Sequence, residues 1–178
     1  MSESMMRTGG PVLLLILALF QVSPALARND DVIQREIEAQ IAGSAILRDT
    51  LIEVHVEERL VVLTGQVRLY EQKLISDRIA WTTLGVFEVD NEIRVVPKVP
   101  VADAAIEHKI KEIVKTDERF HGAGVVVAVD NGVVSIQGIF SGIGDPVFLK
   151  HQVGAIEGVV DIKIFAAFLA QSQVLEQE

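Results

Sequence analysis

The chain has 178 residues, with 16 Lys and Arg against 25 Asp and Glu, a formal net charge of −9, and no cysteine. Such acidity works against nonspecific attraction to nucleic acid or to anionic lipid, because both are polyanions. The missing cysteine excludes disulfides, thiol catalysis and thiolate metal sites.

The first segment decides the compartment. Arg7 supplies a positive charge, the run from Val12 to Val22 is apolar except for Gln21, and Ser23-Pro24-Ala25-Leu26-Ala27 follows. An apolar run of this length ending in small residues at Ala25 and Ala27 has the pattern of a secretory signal peptide cleaved after Ala27. A membrane-spanning helix needs about 20 apolar residues, more than this run provides. Residues 1–27 are therefore set apart as a signal peptide, and the protein is expected to be exported. Without a cysteine after Ala27 it is not expected to be a lipoprotein.

Next comes a repeat in which each residue n corresponds to residue n+73. Asp30 matches Asp103, Ile33 matches Ile106, and Ile37 matches Ile110. Ile52, Val54 and Val56 match Val125, Val127 and Val129, and Val61 and Leu63 match Val134 and Ile136. Gly65 matches Gly138, and Gly85-Val86 matches Gly158-Val159. Apolar period, turn position and glycine position recur together, the mark of duplicated structural units.

Within the first copy, Asn29-Asp30-Asp31 offers N-cap chemistry, and Ile33, Ile37 and Ile41 recur every fourth residue as the stripe of an amphipathic helix. Alternation at Ile52, Val54 and Val56, answered by Val61, Leu63 and Val67, predicts a hairpin turning at Glu57-Glu58-Arg59. A second helix is predicted from Tyr70 to Thr83, with Leu74, Ile75, Ile79 and Ala80 inward, and then a strand over Val89–Val96. Pro97-Lys98-Val99-Pro100 stiffens the connector, taken as residues 97–102. The second copy opens with a helix at Asp103 that presents Ile106, Ile110, Ile113 and Val114 on one face. Strands Val125–Val129 and Val133–Ile139 flank Asn131-Gly132, a pair suited to a tight hairpin turn. Asp145-Pro146 reads as an N-cap with proline in the first turn of a helix running to Ile156, interrupted by Gly154. Gly85 and Gly158 are expected at helix C-caps, and a strand over Val160–Phe165 closes the copy.

Each unit is thus expected to be α-β-β-α-β, an α+β fold with a three-stranded sheet carrying two helices on one face. The units span residues 30–96 and 103–167, with a tail at 168–178. Units of about 65 residues lie near the lower limit for independent folding, so the two are expected to pack on each other. Gly65, Gly85, Gly138 and Gly158 are the expected structural glycines.

This order, with Leu63-Thr64-Gly65-Gln66-Val67 closing the hairpin, Gly85-Val86 after the second helix and Val89-Asp90-Asn91-Glu92-Ile93 in the last strand, resembles the BON domain. That family is named for bacterial osmotically induced and nodulation proteins. The second copy departs from its pattern, since Asp161-Ile162-Lys163-Ile164 has no asparagine. The resemblance implies a periplasmic, non-catalytic module that binds phospholipid or supports the envelope under osmotic stress.

Groups with chemical potential are scattered. His55 falls on the outward phase of a strand, His108 on the polar side of a helix, His121 before a glycine-rich loop, and His151 in a helix without a second ligand at metal-binding spacing. Ser135 and Ser141 lack a nucleophile-elbow setting. Gly122-Ala123-Gly124 and Gly142-Ile143-Gly144 complete no phosphate-binding pattern. No enzyme activity, metal or cofactor is expected.

One cluster is a candidate contact. His108, Lys111 and Lys115 lie opposite the apolar stripe of their helix and could meet lipid headgroups, although Glu107 and Glu112 flank them and dilute their field. Trp81 is expected to pack between helix and sheet, and the tail from Ala166 to extend as a helix that docks through Phe168, Leu169 and Val174. Expected partners are membrane phospholipid or an envelope protein, and no nucleic acid. The alternative is a soluble protein-interaction or chaperone-like factor that does not bind lipid.

Overall fold

A computed structural model of the chain describes residues 29–168. The signal segment with its cleavage point at Ala27, and the tail beyond Phe168, lie outside the described residues.

The first unit comprises α1 (Asp30–Gly43), β1 (Leu51–Glu57), β2 (Leu60–Val67), α2 (Tyr70–Thr82), β3 (Glu88–Asn91) and β4 (Arg94–Val95). The second comprises α3 (Asp103–Thr116), β5 (Val126–Asp130), β6 (Val133–Phe140), α4 (Gly144–Gly154) and β7 (Asp161–Phe168), with a 3-10 turn at Glu118–Phe120 after α3. Asn29 caps α1, its side chain accepting from the Asp31 amide at 3.1 Å. Ile33, Ile37 and Ile41 are buried, as their four-residue spacing requires.

In each sheet the middle strand pairs with its hairpin partner antiparallel and with the last strand parallel, the second helix making the crossover. The offset of 73 survives in the register: Leu60 faces Glu88 in the first unit and Val133 faces Asp161 in the second. Val54, Val56, Val61 and Leu63 share a core with Ile33, Ile37 and Ala80. Val127, Val134 and Ile136 do the same with Ile106, Ile110, Leu149 and Val153. Helices therefore cover one face of each sheet. The other face stays open, since Glu53 and His55 on β1, and Val126 and Ala128 on β5, are exposed.

Both hairpins close through two residues in the left-handed region, Glu58 (φ 50°) and Arg59 (φ 68°) in one, Asn131 (φ 50°) and Gly132 (φ 76°) in the other. The Asn131-Gly132 turn is the one the sequence favours. Glu58-Arg59 adopts the same shape because an external bond holds it: Asp30 accepts from the Glu58 and Arg59 amides at 2.9 and 3.0 Å. Asp103 repeats the latch on Asn131 and Gly132 at 2.8 and 2.9 Å. Asp103 thus lies inside α3, whose N-cap is Ala102.

The first unit's last strand is split where a continuous Val89–Val96 was expected. Gly65 sits opposite the gap with φ of 124° and leaves no room for a Cβ, which would lie 2.2 Å from the Leu51 carbonyl oxygen. Its counterpart Gly138 does not have positive φ, and β7 pairs without interruption to Phe168. That strand includes Ala166, Ala167 and Phe168, so these residues do not begin a tail helix.

Other local expectations shift. Asp145 is not the N-cap of α4; Ile143 is, and the Asp145 carboxylate reaches back to the Gly142 amide at 2.8 Å. Gln72 makes the equivalent reach to Leu69 at 3.1 Å, half of a capping box. Gly154 ends α4 and does not interrupt it. Gly85 and Gly158 have positive φ but lie beyond the helix caps, which are Thr83 and Ala155. On α2, Ala80 is buried and Leu74, Ile75 and Ile79 are half-buried against the cores, all inward as expected; Trp81, by contrast, is 52% exposed and does not fill the helix–sheet core.

The two units pack on each other through α2 and α4. Tyr70 is buried in the second unit's core, with Leu74, Val95 and Val101 against it. Gly154 sits where α2 comes closest; a Cβ there would lie 3.0 Å from the Glu71 amide nitrogen. The connector is tied down where the Lys98 amide donates to Glu157 at 2.9 Å.

Candidate functional site

The histidines stay apart. His55 and His108 are exposed, and His121 is exposed with its Nε2 3.2 Å from the Lys115 carbonyl oxygen. His151 is half-buried on α4. Among the described residues no group of three His, Cys, Asp or Glu side chains could hold a metal ion. A surface cleft at the connector, lined by Pro97, Pro100, Asn131 and Val160, contains one carboxylate, that of Asp103. The Asp103 oxygens are already bonded to the hairpin turn.

The α3 cluster is solvent-facing: His108, Lys111 and Lys115 are all exposed on the side opposite buried Ile106 and Ile110. Lys111 pairs with Glu107 one turn earlier, so part of its charge is spent locally.

A stronger contrast lies on the open sheet faces, where register brings distant residues into rows. In the second unit Val126, Gln137 and Phe165 form one row across three strands, with Ala128, Ser135 and Lys163 on one side of it and Ile139 beside Ala167 on the other. Val126, Ile139 and Phe165 are 63%, 49% and 59% exposed. The corresponding positions in the first unit are Glu53, Thr64 and Glu92, then His55, Val62 and Asp90, then Gln66 and Arg94. One face is charged; its duplicate carries an aromatic and two branched aliphatic side chains.

Burial cannot explain that apolar face, since no helix or strand of the described residues covers it. Scattered exposed apolar residues are ordinary on soluble proteins, but a contiguous patch ringed by polar groups marks a contact surface. Here Ser135 and Lys163 border the apolar side chains, and exposed Gln137 lies between Val126 and Phe165 in their row. Sequence reasoning missed the patch because its members are far apart in the chain. The available signal was the repeat itself, read for where the copies differ: Glu53 against Val126, Gln66 against Ile139, Glu92 against Phe165.

A sequence profile of the BON domain matches residues 29–97 and again 102–141. The chain belongs to the BON-domain family. The first match spans a whole α-β-β-α-β unit. The second stops after the hairpin, yet α4 and β7 complete that BON unit in the same register, so the fold persists where the sequence pattern fades. Asn91 shows part of what was lost. In the first BON unit its side-chain Nδ2 donates to the Lys73 carbonyl and to the Asp77 carboxylate, each at 3.2 Å, fastening the last strand to α2. Ile164 occupies that position in the second.

Among solved structures, the chain is similar to the C-terminal domain of CdsD, described as the structural protein of the type III secretion system of Chlamydia trachomatis. Identity is 16% and the TM-score 0.34, over 79% of this chain and 67% of that one. A second CdsD structure gives 16% identity and a TM-score of 0.31, over 79% of this chain and 64% of that one. This chain thus spans about two thirds of the CdsD chains. No curated protein sequence matches it.

Proposed function

We propose that the protein is a non-catalytic binding module of the bacterial periplasm, exported by its N-terminal signal segment, which associates with phospholipid at the envelope through the open sheet face of its second BON unit. The observation that carries this reading is the exposed set Val126, Ile139 and Phe165 in paired rows. BON domains are binding modules, which agrees with a site built from surface and not from converging acid–base groups. Inserting apolar side chains into the headgroup region stabilises attachment in proportion to the area buried. The net charge of −9 opposes anionic headgroups, so zwitterionic bilayers are the preferred surface. The exposed His108, Lys111 and Lys115 on α3 lie on the helix side of that unit, away from this face, and would meet headgroups only in a separate contact. A role in maintaining the envelope during osmotic stress follows from such attachment.

Co-sedimentation with phosphatidylcholine vesicles tests this. The chain is expected to pellet with vesicles, and Phe165→Glu to weaken that by roughly tenfold or more, since full burial of one large apolar side chain is worth about 1.5–3 kcal/mol. Absence of sedimentation at low salt, with or without anionic lipid, rules out the lipid part. The same face suits a second reading, a soluble protein-interaction or chaperone-like factor. Suppressed aggregation of unfolded clients that Phe165→Glu abolishes, together with no vesicle binding, selects that alternative.

A further inference from the structure

The contact between the two units is not self-complementary, and the repeat shows what it leaves open. The first unit contributes Tyr70, Glu71 and Leu74 from the start of α2. The second contributes Lys150, Val153 and Gly154 from the end of α4, with Asp161 beside them. Shifted by 73, the first set becomes Ile143, Gly144 and Val147 on the second unit, and the second set becomes Asp77, Ala80, Trp81 and Glu88 on the first. Each unit therefore uses one of its two contact surfaces, and the other leaves Ile143 and Val147 on the second unit and Trp81 on the first exposed, while Ala80 stays buried in its own core. An interface between unlike surfaces of like units is heterologous, and repeating it adds further units at both ends.

Both unused surfaces have the composition of an interface. Ile143 is 80% exposed and Val147 57%, although their counterparts Tyr70 and Leu74 are packed against the second unit's core. Trp81 is 52% exposed, with Leu84 at 71% and Phe87 at 70% following it in the chain. The sizes are exchanged in a complementary way. Inside the chain the large residue is Glu71 and the small one Gly154, whose missing Cβ admits the Glu71 backbone. On the free surfaces the small residue is Gly144, over which a Cβ would meet nothing within 4 Å, and the large one is Trp81. The bulk that would clash on one side has room on the other.

We propose that a second copy of this chain docks head to tail, its Ile143–Val147 surface seated on the Trp81 surface of the first, so that BON units continue in line from one molecule to the next. Ile143 and Val147 at the start of α4 and Trp81 on α2 lie on the helix side of the sheets, opposite Val126 and Phe165, so assembly and vesicle binding are separable. Because every molecule carries a net charge of −9, copies repel at low ionic strength, and added salt strengthens the assembly by screening.

Sedimentation velocity on the full chain, expressed with its own N-terminus and purified in the form the cell yields, tests the proposal alongside Ile143→Asp and Trp81→Asp. Wild type is expected to form species larger than a dimer as concentration and salt rise, and each variant alone to run as a monomer. An equimolar mixture of the variants is the decisive arm. Ile143→Asp retains a sound Trp81 surface and Trp81→Asp a sound Ile143 surface, so the mixture should form dimers and nothing larger. That rescue also shows that both variants are folded. Wild type that stays monomeric at high micromolar concentration and high salt, or a mixture that fails to dimerise, overturns the proposal.

Discussion

Asp30 and Asp103 each hold two amides of a hairpin turn with one carboxylate, and each joins a helix start to the strand pair it packs on. Charge-assisted bonds to backbone amides are stronger than neutral ones, and removing an acceptor leaves the donors unmatched. Asp103→Ala should therefore cost about 1–3 kcal/mol, read as a lowered urea midpoint with unchanged slope. Asp30→Ala should cost more than Asp103→Ala, because Glu58 and Arg59 have no glycine to ease their positive φ. Gly65 and Gly138 make a second matched pair. Gly65→Ala must displace the Leu51 carbonyl and hold alanine at φ of 124°, and the backbone strain alone is about 1–3 kcal/mol. Gly138→Ala meets the Phe140 ring and the Ala123 carbonyl oxygen at 3.3 Å without positive φ, so its loss should be smaller in the same denaturation series.

At the scale of elements, what the sequence made legible was whatever repeats at short range. The four-residue spacing of Ile33, Ile37 and Ile41, the alternation of Val54 and Val56, and the constant offset of 73 predicted helices, hairpins and duplication, all of which the structure shows. The split between β3 and β4 was hidden, because the φ of Gly65 follows from its approach to Leu51 on the neighbouring strand. So was the exposure of Trp81, which has the composition of a core residue but a position on the outer side of α2. The apolar open face needed the strand register, and the clustered charge on α3 drew attention to a helix instead. Gly154 read as a helix interruption, whereas it is the point where α2 and α4 touch. Gly154→Leu should force those helices apart while leaving each sheet intact. The expected readout is calorimetric: one unfolding transition in the wild type, and a broadened or doubled one in the variant.

At the scale of the whole molecule, the two BON units share a core through Tyr70, the protein's single tyrosine. Burial raises its hydroxyl from the ordinary value of 10.0 to about 12, and the negative charge of Asp161, which accepts its hydrogen bond, acts in the same direction. The neutral phenol is thus favoured in the folded state. In the unfolded chain the proton leaves near 10, in the folded protein near 12, so the folded state holds more protons across that interval. Stability from this group is complete below the unfolded value and falls as pH rises through the folded one. Tyrosinate absorbance has one source here, so a titration of the native protein should show its midpoint near 12, and the urea midpoint should decline over the same interval. Tyr70→Phe keeps the ring in the second unit's core while removing the titrating group, and should flatten that decline. A native tyrosinate transition near 10, or an alkaline loss of stability that persists in Tyr70→Phe, would mean that Tyr70 is not the proton-linked joint between the units.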